Sequence, residues 1–221
     1  MTNFDIIQFM MAEGVPRQTI VMILMVPIVA TIIAVSRQVV GLKGFGIYTP
    51  LIITFAFSET GLKYGLTVFL AVLLSGTLSR LIIKPFRFLY FPRMAMVMTM
   101  VALATLAILA EGAYSSRTGL ISVSILPILI IITLVERFVA TQIEKGPRAA
   151  ITLTVETLII SVLGFYVVSW RLLQAVLIDY PWVALLTIVL NIFLGKWTGL
   201  RILEYFRFRE VIKNVELPKK K

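Results

Sequence analysis

Long apolar runs separated by short clusters of charge organise this chain. A helix that crosses hydrocarbon needs about 20 largely apolar residues. Seven stretches approach that pattern: residues 19–36, 45–57, 64–83, 94–110, 120–135, 149–170 and 181–197. The last is led in by residues 172–178. Pro27, Pro50 and Pro127 fall inside the first, second and fifth. The pattern predicts an all-α polytopic helical membrane bundle of about seven transmembrane helices, with Pro-interrupted segments. Residues 45–57 are short and follow Gly41, Gly44 and Gly46. They either cross steeply or enter and leave on one side. Residues 1–17 read as a short amphipathic lead-in, 18–199 as the bundle, and 200–221 as a basic tail. No cleavable leader is expected, since the first apolar run lacks a Lys/Arg-rich flank.

Composition removes the soluble alternative. Hydrophobic residues make up 59% of the 221 and charged ones only 14%, where a soluble domain carries about 25% charged. The mean hydropathy is +0.99. Too little polar surface exists to cover a core in water. The net charge of +10 reads as cytoplasmic loop charge meeting anionic lipid, not as a nucleic-acid surface.

The placement of charge gives orientation. Arg80, Lys84, Arg87 and Arg93 crowd one connection, and Arg137, Lys145 and Arg148 the connection two spans later. Five further basic positions from Lys196 to Lys213, with Lys219–Lys221 beyond them, fill the end of the chain. The intervening connections hold little beyond Arg117 and Arg171. The positive-inside rule places the basic connections and the C-terminus in the cytoplasm of a cell-membrane protein. With seven crossings the N-terminus is extracytoplasmic. Aromatic residues at Phe86, Phe88, Tyr90, Phe91, Tyr180, Trp182 and Trp197 form the expected interfacial belt.

Candidate chemistry is sparse. The chain has no Cys and no His. That excludes thiol nucleophiles, imidazole bases and Cys/His metal sites within it, and no cofactor or metal is expected. Glu156 is the sharpest single residue, because an ionisable group within a span faces a bundle interior or a polar cavity. Thr152 lies one turn earlier on the same face. Glu156 is either a substrate, proton or ion contact or a helix–helix brace. Glu136 and Arg137 close the fifth stretch and do not face each other, so Arg80 is a candidate partner for Glu136. Thr67, Ala71, Ser75 and Ser79 recur at the spacing of a close helix contact. An internal repeat is suggested by two similar runs. Pro50 precedes an apolar stretch, then Gly61, then a long helix; Pro127, Gly146 and another long helix follow the same order. Paired interrupted segments in two halves point to a central site.

Gly44-Phe45-Gly46 and Pro50, Phe57-Ser58-Glu59-Thr60-Gly61-Leu62, Pro92-Arg93-Met94-Ala95, Glu136-Arg137-Phe138 and Glu144-Lys145-Gly146 through Glu156-Thr157-Leu158 occur in this order. Together they resemble the seven-transmembrane domain usually fused to an inactive transglutaminase-like domain, over roughly residues 40–208. More distantly the stretch is similar to PgsC/CapC, the small membrane subunit of poly-γ-glutamate synthesis and export. The resemblance implies a non-catalytic membrane companion of a cytoplasmic ATP-grasp or Mur-ligase-like enzyme. The ligase brings its own ATP and magnesium. Arg80, Arg137 and Lys145 would meet the carboxylates of an acidic polymer, and Glu156 would lie along its path or brace it. Residues 1–17 leave no space for a transglutaminase-like domain, so a separate extracytoplasmic protein supplies it or the chain is a stand-alone variant. A homo-oligomer is compatible with the small-residue stripe. The second reading is a small secondary transporter or channel with Glu156 in its pathway. A membrane-embedded enzyme ranks last, for want of paired intramembrane carboxylates.

Overall fold

A computed structural model describes residues 4–86, 88–114 and 125–196. Nine α-helices and no strand are found among the described residues. They are α1 (Phe4–Ala12), α2 (Arg17–Val35), α3 (Tyr48–Thr60), α4 (Leu62–Ile83), α5 (Tyr90–Tyr114), α6 (Ile125–Glu144), α7 (Pro147–Val168), α8 (Arg171–Asp179) and α9 (Leu186–Gly195). Four described helices are long and apolar enough to cross a membrane, or five if the bent pair of α8 with Pro181–Gly195 counts as one broken span. That pair turns through 104°.

The chain divides into two compact units. One combines residues 1–43 with 174–221, and the other is residues 44–173. In the first, α9 packs on α2. Asn191 Nδ2 donates to Thr31 Oγ1 at 2.8 Å and to the Thr187 carbonyl at 2.8 Å, which satisfies both N–H groups of the amide. Helix α2 runs through Pro27 and ends in a π-helical turn, Ser36–Val40, closed by Gly41 at φ 98°. The Gly41 and Leu42 N–H groups both donate to the Ser36 carbonyl. An apolar cavity of about 580 Å³ opens beside α1, with Ile6, Met10, Ile23, Trp182 and Leu185 in its lining.

The second unit holds α3 to α7 around a buried core that includes Phe57, Val72, Val101, Ile131 and Val139. Helix α3 has 13 residues. At 1.5 Å each they span about 20 Å, against about 30 Å of hydrocarbon. It therefore does not cross alone. Its neighbour α7 shows where it starts. The turn at Gly44 touches Glu156, the tenth residue of the 22 in α7, while Thr54 reaches Ser161. Helix α3 thus begins level with the middle of α7 and runs parallel to its second half. The expected 45–57 crossing is a half-length helix.

The suggested repeat has a geometric form. Pro50 and Pro127 each stand third in their helices, α3 and α6. At Pro50 the missing N–H costs nothing in a first turn, so this proline opens its helix and does not interrupt it. Gly61 at φ 76° then leads into α4, and Gly146 at φ 87° into α7. Helix α3 packs on α7, α6 on α4, and α3 on α6. Exchanging the α3–α4 hairpin with the α6–α7 hairpin returns the same set of contacts. Both crossed pairs are parallel, and the two hairpins run in opposite directions. This is an inverted repeat.

Glycines set how closely the crossed pairs approach. A Cβ built on Gly164 of α7 would lie 2.5 Å from Thr54 Oγ1 of α3. A Cβ on Gly76 of α4 would overlap Val135 of α6. The Thr67, Ser75 and Ser79 hydroxyls of the small-residue stripe donate to carbonyls of α4 itself. Gly76, which the spacing did not single out, makes the close contact. Helix α6 also runs on past Val135 to Glu144, because Phe138 and Val139 remain buried in the core. Glu136 and Arg137 therefore sit within the helix and do not close it. Residues 115–124, Trp197 and the 200–221 tail lie outside the described residues.

Gly164→Ala is expected to destabilise the detergent-solubilised protein by about 1–3 kcal/mol through overpacking, read as a lowered thermal midpoint. Gly195→Ala, whose added Cβ meets nothing within 4 Å, is expected to leave the midpoint unchanged or slightly raised.

Candidate functional site

Two polar constellations stand out in the 44–173 unit. The first is the seam of α3 on α7. The chain approaches α3 through a turn at Gly44–Ile47 whose N–H groups have no helix to serve. In hydrocarbon no water can take them, so side chains must. Glu156 Oε2 accepts from the Gly44 N–H at 2.9 Å, and Thr157 Oγ1 accepts from the Phe45 N–H at 2.9 Å. Thr157 in turn donates to the Leu153 carbonyl at 2.7 Å. Gly44 is at φ +45°, and a Cβ there would lie 3.2 Å from Thr157 Oγ1. Both facts favour glycine.

The seam continues one turn on. Ser161 Oγ lies 2.8 Å from the Thr157 carbonyl and 3.1 Å from that of Pro50, and its single proton serves both. Thr54 Oγ1 is 2.8 Å from the Pro50 carbonyl and 3.2 Å from that of Ser161. Thr54, Thr157 and Ser161 are all buried. Thr152 does not join them. It is exposed and donates to the Arg148 carbonyl at 3.0 Å.

The second constellation lies at the end of the unit where α4 stops, α5 starts, α6 stops and α7 starts. Arg80 Nη1 donates to Gln142 Oε1 and Nη2 to the Gln142 carbonyl, each at 3.1 Å. Gln142 Nε2 turns the other way, 3.4 Å from Thr77 Oγ1. Arg93, from the first turn of α5, is near enough for its charge to oppose that of Arg80. The Nε atoms of Arg80 and Arg93 are buried without a hydrogen-bond partner among the described residues. Lys84, Arg137, Lys145 and Arg148 occupy exposed positions at or towards the same end.

The expected residues thus separate. Arg80 meets Gln142, not Glu136, because it stands in the last turn of α4, level with the end of the parallel α6, where a neutral amide and a carbonyl are in reach. Glu136 forms no ion pair with Arg80 among the described residues. Lys145 sits exposed beside the Gly146 turn. No group of three or more acidic side chains that would hold a metal occurs among the described residues. Thr157, Ser161 and Gln142 were not singled out by sequence. Their signal was there: polar side chains on buried faces of apolar helices, the first two four residues apart.

Glu156→Gln is expected to keep the Gly44 contact through its amide oxygen and to leave a folded protein. Glu156→Ala is expected to lose about 1.5–3 kcal/mol, the worth of a hydrogen bond to a charged group. Thermal unfolding of the two variants in one detergent checks the order; equal midpoints would contradict it.

A family model described as 7 transmembrane helices usually fused to an inactive transglutaminase matches residues 1–212. No curated protein and no solved structure is a match to the chain.

Proposed function

This chain belongs to the family of seven transmembrane helices usually fused to an inactive transglutaminase, and from that premise, as a multi-pass membrane protein, we propose that it is a non-catalytic subunit of a peptide-polymer synthesis or export complex. Its partner in this reading is a cytoplasmic ATP-dependent amide ligase of ATP-grasp or Mur type, and the polymer is acidic and poly-γ-glutamate-like. A separate transglutaminase-like protein acts on the extracytoplasmic side. The C-terminus and the 200–221 tail face the cytoplasm of the cell membrane.

The observation that carries the reading is the basic end of the 44–173 unit. Arg80, Lys84, Arg93, Arg137, Lys145 and Arg148 come from four helices to one end of it. Such an end faces the cytoplasm by the positive-inside rule, where a ligase would release a chain of carboxylates. Glu156 braces the Gly44 turn in this account and leaves the handling of anions to the cations.

One observation favours a second reading, a small secondary transporter or channel. The inverted repeat and the half-length α3, which starts midway along α7, match the build of transporters with a midplane site. Glu156 and Thr157 stand at that level.

Tagged protein at native expression in mild detergent is expected to capture the ligase. The double variant Arg137→Glu/Lys145→Glu is expected to reduce binding of a glutamate polymer to the purified protein at least about fivefold, since reversed charge repels its carboxylates. Flux of a small solute in proteoliposomes lacking any ligase would instead support the transporter reading.

A further inference from the structure

We propose that Arg80 and Arg93 form a seat for one oxyanion, a carboxylate or a phosphate, at the end of the bundle where α4, α5 and α6 meet. Arg80, in the last turn of α4, and Arg93, in the first turn of α5, stand at the joined ends of two helices that pack on each other, near enough for their like charges to oppose one another. Arginine does not shed its proton under ordinary conditions, so both charges stay. The acceptors that hold Arg80 are the neutral Oε1 and carbonyl oxygen of Gln142. They fix its orientation but do not neutralise it. The carboxylates of α6, Glu136 and Glu144, form no ion pair with either arginine among the described residues.

Donor geometry points the same way. With both Nη groups of Arg80 turned to Gln142, its Nε remains, buried and without a partner. Arg93 Nε is in the same condition. A buried donor without an acceptor is uncommon in folded proteins. Two on neighbouring cations define a shared need that a single anion meets. Carboxylate and phosphate oxygens accept from such donors by charge-assisted bonds, and the planar fork of arginine suits both. Gln142 is a positioning residue: Thr77 holds its amide so that Oε1 meets Arg80.

The depth of the site admits two sources of the same oxyanion chemistry. Arg80 stands in the last turn of α4 and Arg93 in the first turn of α5, beside Tyr90 and Phe91 at the interfacial level. A lipid phosphodiester reaches this level from the bilayer, and the carboxylate of an acidic peptide reaches it from water. The seat itself does not depend on the ligase reading, and capture of a ligase tests that reading separately.

The test uses the purified full-length protein and three probes: inorganic phosphate, a glutamate tetrapeptide, and nanodiscs of phosphatidylglycerol against phosphatidylcholine followed by native mass spectrometry. Saturable binding of at least one probe is expected. Arg80→Gln and Arg93→Gln are expected to weaken it at least about tenfold, the scale of one charge-assisted bond. Lys84→Gln, which removes an exposed charge from the same end, is expected to weaken it less than about threefold. Retained phosphatidylglycerol with no peptide binding assigns the lipid source; peptide binding assigns the polymer source. Arg93→Lys, which keeps the charge and loses the fork, guards against misfolding and is expected to fall between wild type and Arg93→Gln. Absence of saturable binding by every probe would overturn the proposal, as would equal losses in Lys84→Gln and Arg93→Gln.

Discussion

A backbone N–H inside hydrocarbon has no water to turn to, and most of the 44–173 unit can be understood from that constraint. Continuous helices meet it within themselves. A chain that starts a helix halfway through the bundle does not, and must take acceptors from a neighbour. Glu156 and Thr157 supply them to Gly44 and Phe45. The carboxylate is tolerated within the span because it has this work, and because the start of a helix favours negative charge. Once the turn is tied to α7, α3 has to run beside α7, and Thr54, Pro50 and Ser161 share hydrogen bonds along the contact. Gly164 then lets the two backbones come together.

The inverted repeat extends this arrangement to the other hairpin. Helix α6 lies on α4 as α3 lies on α7, with Gly76 seated on Val135 where Gly164 is seated on Thr54. The two contacts differ in chemistry. The α3–α7 seam is lined by hydroxyls and one carboxylate, whereas the α4–α6 contact is apolar until it ends at Thr77, Arg80 and Gln142. Polar groups therefore concentrate at two depths, one midway along α7 and one at the basic end. A structural brace and an anion-handling end fit that division better than a continuous polar path does.

Much of this was legible in the amino-acid order. The long helices follow from apolar length, and the repeat from Pro50 with Gly61 and Pro127 with Gly146. Glu156 was conspicuous as a carboxylate in an apolar run. Its hydrogen-bond partner was not, because a backbone N–H leaves no mark in sequence. Periodicity along α4 drew notice to Ser75 and Ser79, yet a hydroxyl can always return to its own helix and Gly76 has no such option. The pairing of Arg80 with Gln142 was missed because charge suggests charge, while the length of α6 was underestimated at Val135. Helix α3 fell short of a crossing for a reason that local pattern does not carry: its starting level is set by α7, more than 100 residues later in the chain.

The claim that carries most weight is that Glu156 ties down the turn before α3. Hydrogen–deuterium exchange of the peptide covering residues 42–48, in nanodiscs, reads it directly. The account predicts slow exchange at Gly44 and Phe45 in the wild-type protein and in Glu156→Gln, and fast exchange in Glu156→Ala. Fast exchange in the wild-type protein, or protection unchanged in Glu156→Ala, would contradict it.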